Sequence, residues 1–163
     1  KYLKELLHTF YNSQLDKLRD LNLKHLNSGD VGLRAIARTR LKRSYVVLLR
    51  LLVGATPFIP SEMSEAAIVI SKRVVRKFGD GAKRTFLVGY FFVRFICPAV
   101  AVPDSVAHID LPSSLASTSV YLSKILLAGS TGQHFSENSP MNFSNEFLED
   151  KECKNLLDVF LNT

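Results

Sequence analysis

One arginine stands inside the most apolar stretch of this chain, FFVRFICPAVAVPD at 91 to 104, four residues before a proline. A proline at position 98 has no N–H, so it leaves the carbonyl of Arg94 without its helical partner and predicts a bend there. If the Arg94 side chain is buried, five N–H donors and a neighbouring unpaired acceptor all need partners. Two roles suit such a group. It ties the carbonyls of neighbouring loops together as plain structure, or it braces a loop that belongs to a binding site. Since most buried polar groups are simply satisfied structure, chemistry alone favours the first.

The other residues capable of chemistry are scattered. His8, His25, His108 and His134 show no metal-ligand spacing, and His108 with Asp110 reads as a solvated loop pair and not as a catalytic dyad. The sequence carries no glycine-rich phosphate loop, nucleophile elbow or zinc signature. No metal, cofactor or self-contained active site is expected. Arg34, Arg38 and Lys42 recur four apart with Arg40 and Arg43 beside them, which makes a basic stripe on one helix. Nucleic acid would be met by such a stripe, but no aromatic residues interleave with it for base stacking, so nucleic acid is not favoured. A solvated face, or a surface steering an acidic protein, fits better.

The totals set the frame. The chain of 163 residues fits one domain with a core of its own, and a net charge of +6 raises the expectation of an acidic partner: protein, anionic lipid or nucleic acid. Cys97 and Cys153 lie far apart with no CxxC spacing, which points to a reduced, cytoplasmic setting. The opening KYLKELL has neither an initiator methionine nor a signal-like apolar leader, so residues 1–163 read as a single domain truncated on its N-terminal side.

Helical periodicity runs through the elements that must position these residues. Leu3, Leu6, Leu7, Phe10, Leu15 and Leu18 predict one helical face within residues 1 to 26, and SGDVG at 28 to 32 breaks it. A second helix over 33 to 53 closes at Gly54, Pro57 and Pro60. A third begins at Ser61 as N-cap, with Glu62 and Glu65 in its first turn, Arg73, Arg76 and Lys77 in its last, and Gly79 as its stop. Its buried face is read as Met63, Ala66 or Ala67, Ile70 and Val74. Residues 86 to 102 are apolar almost throughout. At about 17 residues, with Arg94 and Pro98 inside, they predict a central, kinked helix and not a membrane span. PDSVAHIDLPSS reads as a loop, 118 to 128 as a helix ended by GSTGQ, and 144 to 161 as the last amphipathic segments. No convincing stretch alternates with period two. The expected fold is all-α.

FFVRFICPAVAVP closely resembles the signature of Ras GTPase-activating domains: Phe92, Val93 and Arg94 take the Phe-Leu-Arg places, Phe95 follows, and Pro98, Ala99, Val100 and Pro103 complete the run. SKILLAGSTGQHFSENSPMNFSNEF is similar to a second stretch of the same family, especially its neurofibromin branch, through Ser123, Lys124, Ile125, Leu126, Phe135, Met141, Asn145 and Phe147. YLKELL and the FIPSE helix fit in order, so the resemblance covers nearly the whole chain.

It implies a helical bundle whose groove binds a Ras-type small GTPase in its GTP state. A separate arginine finger there neutralises charge on the transferred phosphoryl group, and the Phe-Leu-Arg arginine holds the finger loop. Phe92, Val93, Arg94 and Pro98 would be that brace, and Lys124, Leu127, Thr131 and Asn145 would meet the GTPase. Lys124 would pair with an acidic switch region and Asn145 would hydrogen-bond backbone at the groove. Arg34, Arg38 and Lys42 would steer. The implied protein is a regulator acting on its partner's site, cytoplasmic and recruited to the inner membrane face through other domains.

Three departures stand out. The family's finger lies upstream of YLKELL, so no catalytic arginine is expected here; GLRAIAR at 32 to 38 is on the wrong side and lacks the usual hydroxyl residues. Leu127 and Thr131 replace the family's glutamine and asparagine, and Val93 replaces leucine. The alternative is thus a scaffold that binds a GTPase without activating it. A basic domain for nucleic acid or membrane ranks third.

Overall fold

The computed structural model describes residues 1–162, and every regular element among them is a helix. Helix α1 spans Tyr2–Arg19, ending earlier than its periodicity predicts. The Asn22 side chain accepts the Lys24 N–H at 3.0 Å and starts a 3-10 turn over Leu23–Asn27 instead. Helix α2 (Val31–Gly54) opens on Asp30, whose carboxylate accepts the Leu33 N–H at 3.0 Å. After a 3-10 turn at Thr56–Phe58 comes α3 (Ser61–Phe78). Here Pro60 holds the cap position and Ser61 is the first helical residue, so the expected serine cap is replaced by a proline entry. Gly79 does stop the helix, at φ +86°, a conformation that other residues rarely adopt.

Helix α4 (Gly81–Leu87), a π-helical segment (Val88–Ile96) and α5 (Cys97–Ala101) follow one another as a single 21-residue rod. Helical dihedrals persist across both junctions. The rod is apolar and long enough to cross a membrane by composition alone. In this fold its inner face is instead packed against the bundle. The segment read as a loop contains a short α6 (Pro103–Ala107). Helix α7 runs Ser113–Thr131, five residues further toward the N-terminus than its apolar pattern implies, and ends at Gly132 with φ +72°. The Asn142–Ser144 turn, α8 (Asn145–Glu149) and α9 (Lys151–Asn162) complete the order.

Helices α7 and α2 share the interior with the rod, whose outer residues Val93, Arg94, Phe95 and Pro98 lie in solvent. Helix α7 buries Leu115, Thr118, Ser119, Leu122, Ser123, Ile125, Leu126, Ala128 and Ser130, and packs against α5, the π segment, α1, α2, α8 and α9. The reason is its small residues, which let neighbours approach its backbone closely. At Gly129 an added Cβ would lie 2.6 Å from the Tyr45 hydroxyl oxygen of α2.

Polar side chains lock the helices in register. Tyr11 donates to the Val100 carbonyl at 3.1 Å and lies 2.7 Å from the Ser119 hydroxyl. Ser44 donates to Gln14 Oε1 at 3.1 Å, Ser123 to the Cys97 carbonyl at 2.8 Å, and His8 Nε2 sits 3.1 Å from the Ala107 carbonyl that ends α6. Each such bond contributes about 1 kcal/mol net, and each would cost more if broken on one side only.

The hydroxyls of Tyr2 and Tyr45 are the exceptions, buried with no partner among the described residues, and Tyr45 is the one whose whole side chain is buried. Two substitutions probe this contact in opposite senses. Gly129→Ala should lower unfolding free energy by about 1–3 kcal/mol through overpacking. Tyr45→Phe should raise it by about 1 kcal/mol, because it removes a desolvated, unbonded hydroxyl. Urea denaturation of both variants reads the two signs.

Candidate partner-binding surface

In place of a localised proline bend, the rod widens into the π segment. The Cys97 N–H donates to the Phe92 carbonyl, five residues back. In that register the carbonyl that faces the missing Pro98 N–H is Val93's and not Arg94's.

Arg94 is not buried either. Phe92, Ile96, Ala99 and Val100 form the inward face, and Val93, Arg94, Phe95 and Pro98 face solvent. Desolvating an unpaired guanidinium would cost several kcal/mol, whereas the apolar residues on its other side gain by burial, so the rod turns its cation outward. Phe92 therefore serves the interior, its ring edge-on to Phe160 of α9 at 5.2 Å. Arg94 makes no hydrogen bond or ion pair among the described residues.

The rod and α7 lie antiparallel, as two links show: residue 100 is joined to 119 through Tyr11, and residue 97 to 123 directly. One further turn along each helix brings Arg94 level with Leu127. Lys124, Leu127 and Thr131 are all exposed on α7, with Val120 one turn earlier on the same stripe. Lys124, like Arg94, has no ion-pair or hydrogen-bond partner among the described residues. The exposed residues Val93, Val120 and Leu127 thus lie on the same two adjacent helices as the unpaired cations Arg94 and Lys124. Val120 was missed from the sequence, although its spacing of four from Lys124 carries the signal.

Other expected site residues are occupied internally. The Thr131 hydroxyl donates to the Leu127 carbonyl at 2.9 Å. Asn145 is used in full: its Oδ1 accepts the Phe135 N–H and its Nδ2 donates to the Phe135 carbonyl, both at 2.9 Å. It fastens the loop between α7 and α8, which lies beside the end of the Lys124 stripe.

The basic stripe is likewise consumed and does not stand free to steer. Arg34 donates to the Ser28 carbonyl at 3.1 Å. Arg38 donates to the Leu26 carbonyl at 2.9 Å, and its guanidinium lies 4.8 Å from the Phe143 ring centre. Desolvation, with Arg34 nearby, lowers the Arg38 pKa. Lys42 pairs with Asp150 at 2.6 Å. These side chains bind the 23–28 segment and the start of α9 to α2.

The described residues hold no cluster of His, Cys, Asp or Glu suited to a metal. Burial pushes both thiols, Cys97 and Cys153, up to about 12, which keeps them protonated and poorly nucleophilic. No protein-family model and no curated protein matches this chain, so the functional argument rests on its residues.

Asp150 supplies a pH test of the α2–α9 link. Its Oδ2 accepts from Lys42, and its Oδ1 accepts the N–H groups of Glu152 at 3.0 Å and Cys153 at 3.2 Å. The Lys42 hydrogen bond, followed by the backbone bond from Cys153, holds its carboxyl below the ordinary carboxylate value. A lowered folded-state pKa gives stability that is present above the unfolded value, about 4, and lost as pH falls through the folded one. The melting-temperature gap between wild type and Asp150→Asn should be full near neutral pH and close progressively below about pH 4. For Asn145→Ala, hydrogen exchange at the Phe135 amide should accelerate and stability fall by about 1–2 kcal/mol, since two bonds are lost.

Proposed function

We propose that this chain is a helical recognition module for a Ras-type small GTPase in its GTP state, acting as part of a GTPase-activating domain. The observation that carries this reading is the pair Arg94 and Lys124: two exposed cations without ion-pair or hydrogen-bond partners among the described residues, on adjacent helices that also expose Val93, Val120 and Leu127. Isolated surface cations are commonplace, but here the same two side chains fall on the family positions that resemble the finger brace and the GTPase contact. An acidic segment with an apolar centre is the complement of this surface, and a switch region of a GTPase offers that chemistry.

Bracing and exposure are compatible. A guanidinium held in water on a rigid rod remains free to donate to the carbonyls of a loop that docks over it, and its five donors suit several backbone acceptors at once. The change from glutamine and asparagine to Leu127 and Thr131 makes the centre of the surface more apolar and shifts discrimination toward the flanking cations.

A second reading, binding without activation, is favoured by one observation. All the arginines of the chain lie on helices: Arg19 on α1, Arg34, Arg38, Arg40, Arg43 and Arg50 on α2, Arg73 and Arg76 on α3, Arg84 on α4 and Arg94 on the rod. A finger needs a loop that reaches into the nucleotide site, so the described residues supply recognition and bracing and not the transferred charge.

Single-turnover GTP hydrolysis and GTP-dependent binding, measured together on a panel of Ras, Rap and Rho proteins, separate the readings. Lys124→Glu should weaken binding by about tenfold while moving the melting temperature little, because an exposed charge is reversed at a complementary contact. Arg94→Ala should reduce acceleration more than binding; equal losses in both would remove the bracing role. Binding to none of the panel would reject the proposal.

A further inference from the structure

Helix α3 poses a separate question. Of its 18 residues only Ala67 and Ser71 are buried, while Ile68, Val69 and Ile70 are exposed. Ile70, expected inside, is 40% exposed, because the helix sits on small residues one step around from the large ones. Between α3, the rod and the end of α9 runs a groove of about 620 Å³. Its floor is Ala67, Ser71 and Val75 of α3, Leu87 and Phe91 of the rod, and Phe160 of α9.

The shape selects the class of occupant. The α3 residues lining the groove run from Ser64 to Arg76 at the spacing of a single helical stripe. At 1.5 Å per residue this is a trough roughly 18 Å long. A trough of that length with small side chains along one wall accepts a helix laid lengthwise, with anchors at i, i+3/i+4 and i+7. A flat lipid surface would leave its concave floor unfilled.

Charge narrows the choice further. Lys72, Arg76 and Lys83 stand exposed along one half of the rim, and none makes an ion pair among the described residues. Asp80 is the only acidic residue of the lining. By contrast Lys42, Arg50 and Arg84 are paired to acids of α9 or its cap. The groove therefore combines unpaired positive charge on its rim with an open apolar floor.

We infer that the α3–rod groove is a second docking site, which takes an acidic amphipathic helix: apolar anchors on the floor, carboxylates against Lys72, Arg76 and Lys83. It is distinct from the Arg94–Lys124 surface, since its lining includes neither Arg94 nor any residue of α7.

A fluorescein-labelled, hydrocarbon-stapled 15-residue peptide with leucines at i, i+4, i+7 and i+11 and three glutamates at one end is the probe. It should bind the intact chain saturably in fluorescence anisotropy. Ile68→Asp, and separately Lys72→Glu with Arg76→Glu, should each raise Kd by about tenfold or more, the second effect shrinking in high salt. All three positions are exposed, and an unchanged melting temperature shows that the fold is intact. Equal binding of a peptide with its leucine spacing scrambled would overturn the inference, as would indifference to both variants. No binding at all would do the same. So would binding of vesicles rich in phosphatidylserine, or self-association of the chain, that is lost in these variants while the peptide fails to bind.

Discussion

A guanidinium and a run of phenylalanines make opposite demands on water, and the way the rod Gly81–Ala101 meets both sets the layout of this protein. Turning Arg94 inward would strand a charge. Turning the opposite face outward would expose Phe92, Ile96 and Val100, side chains worth about 1.5–3 kcal/mol each when buried. With the rod's rotation fixed in this way, α7 must lie antiparallel along its inner face, α9 must present Phe160 to the Phe92 ring, and Val93, Phe95 and Pro98 are left on the surface with Arg94. The exposed face of the rod follows from that compromise.

The rod resolves its proline by the same economy. An i→i−4 helix would leave the Arg94 carbonyl unpaired next to its own charged side chain. Winding one register wider across Val88–Ile96 moves the unpaired position to Val93 and keeps the backbone helical on both sides. π segments of this kind concentrate at functional positions because they trade hydrogen-bond geometry for a change in which side chains face out. Here the residues whose direction depends on that change are the ones on the candidate surface.

Much of the architecture was legible in the sequence, and the failures share a cause. Periodicity and end signals located α1, α2, α3, α7 and α9. They fell short at both ends of α7, where part of the burial is carried by Thr118, Ser119, Ser123, Ala128 and Ser130, residues that count as polar or weak on any hydropathy reading. Closeness of approach, as between Gly129 and Tyr45, is a property of two helices and leaves no mark on either alone. The same limit misled the reading of Ile70 and of the rod as a central element: apolar character shows what gains from burial, not which competitor for the interior wins. Asn145 was located as a special residue, but its partner, the backbone of Phe135, is ten residues away and chosen by the loop. The basic stripe on α2 looked solvent-facing because its acceptors are carbonyls of Ser28 and Leu26, which no residue type announces.

The distribution of charge binds these strands together. A net charge of +6 says little until one asks which cations the fold has already used. On α2 several are engaged: Arg34, Arg38, Lys42 and Arg50 hold a loop, a ring and the acids Asp150 and Glu152. Exposed ion pairs contribute only about 0–1 kcal/mol each, so Lys42–Asp150 and Arg50–Glu152 matter less for stability than for cancelling charge locally, while Arg34 and Arg38, bonded to neutral carbonyls, keep theirs. Among the cations left free are two groups that lie where large apolar side chains are also exposed, around Arg94 and Lys124 and along α3. Unpaired charge alone favours remaining in water, and exposed apolar surface alone favours indiscriminate burial. Found together on a rigid scaffold, they discriminate, because only an occupant with both an apolar face and carboxylates at matching positions satisfies the two at once.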